Sequence, residues 1–327
     1  MSLVVKFWGV RGSLPASMLP TGWRTHIQGL LKGFFADGHS KPSDVENYVN
    51  SLALPLVGGY GTGTTCVEVN SPKTRILIDG GSGIRNFSDK VMSGHGGSLK
   101  GPFHIFMTHF HWDHLMGLPF FSPHFVPNSE IHYYGVQKDL EEVIRSVFKK
   151  PFFPVPFETL PANIHFHTLE PRKPVKMADL EITPYQLDHP DPCWGYKVMH
   201  KKLAYAHCVD TESTRVSPEE LGPDHPLYQG IDLMYFDAQY TFPELAEKAN
   251  WGHSAAQIGL DLAFRENIKH VLFAHHDPGA TIAQIQDLKA QTTEYFQWRL
   301  EHAAESGETV PNIIWDFVHE GLEIRIG

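Results

Sequence analysis

His109-Phe110-His111-Trp112-Asp113-His114 packs three imidazoles and a carboxylate into six positions, just after the apolar run His104–Met107. Side chains alternate along an extended chain, so His109 and His111 point the same way. Asp113 and His114 follow where the chain turns into Leu115-Met116-Gly117-Leu118. Two of these groups can serve one metal ion and two a neighbouring one. Imidazoles and a carboxylate at a strand end gain nothing from packing, so so dense a cluster reads as metal ligands rather than ordinary loop chemistry.

Outward from the motif, short apolar or alternating runs bounded by Gly, Pro and Asp predict strands. They are Leu3–Trp8, Cys66–Val69, Arg75–Ile78, His104–Met107, Glu130–Tyr134, Ile164–Thr168, Leu180–Tyr185, Tyr196–Met199, Leu203–Ala206, Leu233–Phe236, His270–Ala274, Ile313–Phe317 and Leu322–Ile326. Helices are expected at Gln137–Lys149, at Ser254–Glu266 with Ser254 as N-cap, and at Ala280–Ala304 with Gly307 as its stop. Strands outnumber helices without a regular βαβ repeat, which predicts an α+β protein of stacked sheets covered by helices. Residues 14–57 look like an insertion, with a helix at Trp23–Phe35 and another opened by Ser43-Asp44-Val45-Glu46. A surface excursion packed on its own domain or a partner subunit is favoured there over a lid.

At 327 residues and 42% hydrophobic, the chain can fill a large core, and we read 1–327 as a single domain carrying that insertion. A formal charge of −10 argues against a broad nucleic-acid-binding face. No apolar run approaches the roughly 18 residues of a membrane span, and the start shows no basic segment leading a long apolar one, so no membrane or secretory route is expected. Cys66, Cys193 and Cys208 are odd in number and lack CxxC spacing, which predicts neither a disulfide framework nor a thiolate zinc site, and fits a reducing cytoplasm. Histidine, with 21 copies, is the unusual count and the commonest metal ligand.

The motif matches the HxHxDH signature of the metallo-β-lactamase fold hydrolases, and the chain resembles that superfamily over nearly its whole length outside 14–57. The resemblance implies a four-layer αβ/βα sandwich with a two-metal site at one edge. It also implies further ligands at His189 in Leu187-Asp188-His189-Pro190, Asp210 at the end of Ala204–Asp210, and His275 in Phe273-Ala274-His275-His276. Flanking stretches are more specific: Phe7–Ser13, Gly63–Val69, Phe236-Asp237-Ala238-Gln239-Tyr240 and Trp251-Gly252-His253-Ser254 resemble the branch of ribonuclease Z and related phosphodiesterases, some acting on cyclic nucleotides. On this basis His109, His111 and His189 are expected to hold one divalent ion and Asp113, His114 and His275 another, with Asp210 bridging. Imidazole and carboxylate together suit Zn²⁺, with Mn²⁺ or Fe as alternatives. The expected reaction is attack on phosphorus by a shared hydroxide, with Asp113 also orienting it and His253 touching the scissile phosphate or protonating the leaving group.

Other residues carry bland alternatives. Asp237 is expected to orient a ligand histidine or to serve as a loop carboxylate, and Asp79 to sit behind the metal site or to start a Gly-Gly turn. His276 is assigned a supporting role and Arg11 a structural ion pair. The Gly58–Thr65 stretch lacks the Lys of a phosphate-binding loop and reads as a turn. His26, His39, His95, His124, His165 and His167 have no ligand-like company in sequence. Ribonuclease Z carries a long tRNA-gripping arm between its third and fourth metal motifs. Here His189 and Asp210 lie only 21 residues apart, which disfavours a tRNA substrate. A small-molecule phosphodiester is therefore the expected substrate and a homodimer the plausible assembly. A lactone or thioester hydrolase, and a non-catalytic accessory binding protein, are the competing readings.

Overall fold

Every expected strand forms, each within two residues of its expected bounds in the computed structural model, which describes residues 2–94, 98, 101–307 and 312–327. His95 lies outside the described residues. In chain order the strands begin β1 (Leu3–Gly9), β2 (Cys66–Asn70), β3 (Arg75–Ile78), β4 (Phe103–Phe106), β5 (Glu130–Gly135), β6 (Asn163–Thr168) and β7 (Val175–Met177). They continue β8 (Leu180–Gln186), β9 (Trp194–His200), β10 (Leu203–Cys208), β11 (Leu233–Asp237), β12 (His270–Ala274), β13 (Ile314–Phe317) and β14 (Glu323–Ile326). Only β7 was not anticipated, since Val-Lys-Met is too short to display a period.

The strands form two seven-stranded sheets, ordered β14-β1-β2-β3-β4-β5-β6 and β13-β12-β11-β10-β9-β8-β7. In each, four strands run parallel at one side and the rest pair antiparallel. The inner faces meet through Val5, Phe7, Ile78 and Phe106 on one side and Ile182, Val198, Tyr205 and Tyr235 on the other. Each such side chain contributes about 1.5–3 kcal/mol on burial.

Helices lie on both outer faces. The insertion supplies α1 (Pro20–Ala36), α2 (Val45–Ser51) and α3 (Leu54–Gly58), of which α3 was not expected. Then α4 (Ile84–Met92) and α5 (Leu140–Val147) cover the first sheet through Ile84, Phe87, Leu140 and Ile144. The second is covered by α6 (Ala256–Glu266) and α7 (Ile282–Ser306) through Leu260, Ala263 and Ile285. The result is the four-layer α+β sandwich of the metallo-β-lactamase fold. Among the described residues, no helix is long and apolar enough to cross a membrane.

Three helices differ from expectation at their ends. Ser254 does not cap α6: its N–H goes to Asp237 Oδ1 at 3.3 Å and its carbonyl accepts from Tyr240 N at 3.1 Å, so the helix starts two residues later. Past Val147, α5 tightens into i→i+3 turns (Phe148 to Arg145, Lys149 to Ser146), and before it Gln137 is tied by its side chain to the Thr108 and Pro192 carbonyls. Thr281 rather than Ala280 opens α7, with Thr281 and Gln284 capping each other. Gly307 does end it, at φ 69°.

Within the insertion, Phe34 packs on Tyr48, while Trp23, Ile27, Leu31 and Phe35 leave an exposed apolar stripe at four-residue steps along α1. A cavity of about 870 Å³ separates α1 from the body, lined by Arg11, Trp23, His26, Tyr60 and Ile282.

Candidate metal centre

Apart from His253, which lies just before α6, the predicted site residues come from strand ends. Asp79 follows β3, the 109–114 loop follows β4, His189 follows β8, Asp210 follows β10, Asp237 ends β11 and His275 follows β12. These are all C-terminal ends at one edge of the sandwich, the position where α/β sheets gather functional loops. Asp79 and His275 take left-handed backbone, at φ 63° and 61°. For non-glycine residues that costs about 1–3 kcal/mol each, and it turns the chain abruptly out of the strand.

Two tetrads result. The ligand atoms of His109, His111, His189 and Asp210 lie within 4.8 Å of one another, and so do those of Asp113, His114, Asp210 and His275. Asp210 belongs to both. Its Oδ2 stands 3.7 Å from His109 Nε2 and 3.4 Å from His114 Nε2, and its Oδ1 stands 3.0 Å from His275 Nε2. A third set joins Asp210 and His275 to Asp237 and His253.

Neighbouring groups fix the imidazoles. Asp79 Oδ2 meets His114 Nδ1 at 2.8 Å, and its Oδ1 accepts from Thr108 N at 2.9 Å. Asp79 therefore holds the His114 ring instead of closing a turn with its own side chain. Gln239 Oε1 meets His275 Nδ1 at 2.7 Å, and Asp191 Oδ2 meets His111 Nε2 at 2.8 Å, which leaves Nδ1 of His111 for the cluster. The backbone N–H of Ser13 donates to Asp113 Oδ2 at 2.8 Å. Asp237 holds His253 Nδ1 at 2.9 Å and stands 3.8 Å from His275 Nδ1, so its direct partner is His253, not a candidate ligand.

The electrostatics divide the tetrads. Burial pushes His109 and His189 down from the ordinary imidazole value, leaving neutral donors. Burial also opposes charge on His275, but Asp210, Asp113 and Asp237 outweigh it and hold that ring up at about 10. His114 is raised in the same way by Asp113, Asp79 and Asp210. Burial likewise opposes charge on Asp113, yet facing His114 and His275 keep its carboxyl below the usual range. Buried carboxylates here demand positive charge, which protons on His114 and His275 supply. Meanwhile His109 Nε2, His114 Nε2 and His189 Nε2 are buried with no hydrogen-bond partner among the described residues. Leaving such atoms unpaired costs about 1–3 kcal/mol each, and divalent cations would satisfy all three. The donor set fits divalent metal.

A cleft of about 480 Å³ opens over these groups, lined by His111, Asp113, Trp112, Lys248, Trp251 and His253 among others. Of the described residues in 14–57, none lines it. Four supporting residues escaped the sequence reading. Gln239 stood in a quoted stretch with no role assigned. Thr108, between strand and motif, bonds Asp79 and reaches His109 Nδ1 at 3.1 Å. Gly12 and Gly252 are required by closeness: a Cβ at Gly12 would sit 2.4 Å from His275 Nδ1, and one at Gly252 would sit 2.3 Å from His189 Cδ2.

The bland assignments resolve as well. His276 faces away, to Val318 O at 2.7 Å. Arg11 is buried and donates to the carbonyls of Gly61, Asp277 and Ala280 instead of forming the expected ion pair. The N–H groups of Thr62 and Gly63 are both taken by the Glu320 carboxylate, so Gly58–Thr65 presents no phosphate cradle. His165 and His167 do have ligand-like company, contrary to expectation, because Glu130 and His132 lie beside them.

The chain shares 32% identity over 198 residues with ribonuclease Z of Streptococcus pneumoniae, covering 58% of this chain and 56% of that protein. It thus spans little more than half the length of the curated relatives it matches. Among solved structures it superposes on unliganded yeast PDE1 with a TM-score of 0.60 at 16% identity, over 99% of both chains. A diphosphatase from the PhnP family gives 0.58 at 16% identity, over 99% of this chain and 98% of that one. These likenesses establish the fold. The family model described as a beta-lactamase superfamily domain matches residues 74–276, a span holding every residue of both tetrads, and the chain belongs to that superfamily.

Proposed function

We propose that this hydrolase of the beta-lactamase superfamily is a dinuclear, metal-dependent phosphodiesterase acting on a small phosphodiester, with cyclic nucleotides as the first candidates. The observation that carries the reading is Asp210: one buried carboxylate common to two tetrads, with His253 Nδ1 3.9 Å away, at the floor of a single cleft. Similarity to ribonuclease Z, a phosphodiester-cleaving enzyme by name, supports the phosphorus chemistry.

His109, His111 and His189 would hold one ion and Asp113, His114 and His275 the other, with Asp210 between them and Zn²⁺ the favoured metal. Such ions supply activation of water at neutral pH and neutralisation of the phosphoryl charge. Asp113, fixed by the Ser13 N–H, orients the attacking group. Asp237 accepts from His253 Nδ1–H and its negative charge stabilises the imidazolium, from which the other ring nitrogen would pass its proton to the departing oxygen, leaving the neutral ring. Trp112 and Trp251, 57% and 63% exposed at the cleft, offer flat faces to a base, and Lys248 offers a cation to the phosphate.

The proposal takes 1–327 as one domain. A reducing, cytoplasmic setting is part of it, supported by three free, buried cysteines. A homodimer is also part of it, supported by the apolar stripe on α1. A second reading, cleavage of tRNA precursors, rests on the ribonuclease Z relatives. Against it, the interval from His189 to Asp210 is filled by the β9–β10 hairpin, which leaves no arm.

Turnover of bis-p-nitrophenyl phosphate, cyclic mononucleotides, a precursor tRNA, a lactone and a thioester by zinc-loaded protein tests this. Phosphodiester hydrolysis with the tRNA left intact is expected. Lactone or thioester turnover without phosphodiester turnover overturns the proposal, as does no turnover of any substrate.

A further inference from the structure

A second gathering of imidazoles lies on the first sheet, toward the N-terminal ends of β4, β5 and β6. The parallel register aligns His104 of β4 with His132 of β5 and His165 of β6, and two residues on aligns Phe106, Tyr134 and His167. Residues two apart on a strand share a face, so all of these side chains, with Glu130, project together. The rings stack across strands: His104 on His132 with centroids 5.2 Å apart, His132 on His165 at 4.6 Å and His132 on His167 at 5.3 Å. His132 Nδ1 and His167 Nε2 are 3.0 Å apart. Glu130 turns its carboxylate into the group, with Oε2 3.0 Å from His165 Nε2 while Oε1 accepts from Asn163 Nδ2 at 2.6 Å. One ligand atom each from Glu130, His132 and His165 lies within 4.8 Å of the others.

We propose that Glu130, His132 and His165, with His167 as a fourth donor, form a separate binding site for a divalent transition-metal ion of the zinc, copper or nickel class. Three imidazoles with a single carboxylate suit those ions and not magnesium or calcium, which favour oxygen donors. His165 and His167 chelate from one strand, and His132 reaches them from the next. The rings are ready to bind: burial, then repulsion from neighbouring imidazoles, holds His132 below its ordinary value, and His104 beside it at about 4. A neutral His132 ring releases no proton on binding, unlike His114 and His275.

Access is open. His165 and Glu130 are 47% and 42% exposed, on or beside β6, the last strand of its sheet. His104 precedes His109 by five residues, roughly 16 Å of extended chain. The site thus shares no residue with the metal centre and does not rest on the proposed activity. A bound ion would tie β6 to β5 through side chains as well as the backbone ladder, reinforcing an otherwise exposed sheet edge.

The test uses full-length protein stripped with chelator, titrated with Zn²⁺ by calorimetry and measured for metal after desalting. Wild type is expected to retain one zinc equivalent more than His165→Ala, with Glu130→Gln binding that equivalent about tenfold more weakly. Copper added to wild type preloaded with two zinc equivalents at the metal centre should give an electron paramagnetic resonance signal with nitrogen hyperfine structure that His165→Ala, preloaded alike, lacks. Phosphodiester turnover and circular dichroism should be the same in all three proteins. Both substituted side chains are half-exposed, and His167→Ala serves as the deciding variant if either fails to fold. Equal zinc equivalents and equal copper spectra in wild type and the folded variants overturn the site.

Discussion

The two ends of β4 carry histidine clusters of different kinds. At the C-terminal end, His109 and His114 are buried beside carboxylates, each ring has a second partner, and several ligand atoms face nothing in the protein. At the N-terminal end, His104 and its neighbours lie half-covered, satisfied by one another and by one glutamate. The difference is not the number of imidazoles. It lies in the buried charge behind them: Asp79, Asp210 and Asp237 have almost no exposure, and such anions are stable only against a matching cation. A centre built this way demands an ion. The outer cluster can take one and can also do without.

That contrast breaks first at Asp210. Removing the outer partner of a metal ligand costs about 10–100-fold, so Asp210→Ala, which strips a ligand from both tetrads, should lower phosphodiester turnover by more than about 10²-fold and reduce zinc content. Wild-type turnover in this variant would show that the shared carboxylate has no metal role. His253→Gln should lose about 10²–10⁴-fold in kcat while zinc content stays at the wild-type level, which separates proton delivery from metal binding. Asp79→Asn keeps the shape but not the charge behind His114. A loss of about 10–100-fold in zinc affinity is expected, measured by competition with a chelating dye.

His124 is a third environment that sharpens the comparison, because it is buried among the rings of Phe121, Tyr133 and Phe148. Burial pushes it down to about 3, and its Nε2 bonds Tyr133 Oη at 2.8 Å. The unfolded ring titrates near 6.5. Between those values the unfolded chain takes up a proton that the folded one refuses, so stability falls as pH drops below about 6.5 and is flat above it. Each pH unit in that window costs about 1.4 kcal/mol. Urea unfolding of His124→Gln should show an acid limb shallower than wild type by about 2 kcal/mol between pH 6.5 and 5, and equal limbs would count against the assignment. The smallest effect belongs to the outer cluster: in metal-free protein His165→Ala should change unfolding free energy by less than about 0.5 kcal/mol.

The parts of this molecule legible in the sequence were those set by neighbours along the chain. Alternation in Leu3–Gly9 and the apolar run at His270–Ala274 announce strands, and six crowded positions at 109–114 announce a cluster of candidate ligands. What needed the fold was pairing between distant segments. Nothing local reveals that His104, His132 and His165 are ladder neighbours, since parallel register is decided by packing on both faces. Ser254 looked like a cap because its own sequence is right for one, but Asp237 competes for its N–H. Gly12 owes its identity to His275, more than 260 positions away in the chain.

The pairing of β1 with β14, Leu3 opposite Ile326, joins strands more than 320 positions apart. Until β14 has been made, β1 keeps a bare edge, and closure over such a distance slows folding. His275 in turn stands 65 positions beyond Asp210, so the two candidate ligand sets are complete only after β12 has joined β11 in the second sheet. Metal loading at the centre should therefore follow that pairing rather than precede it.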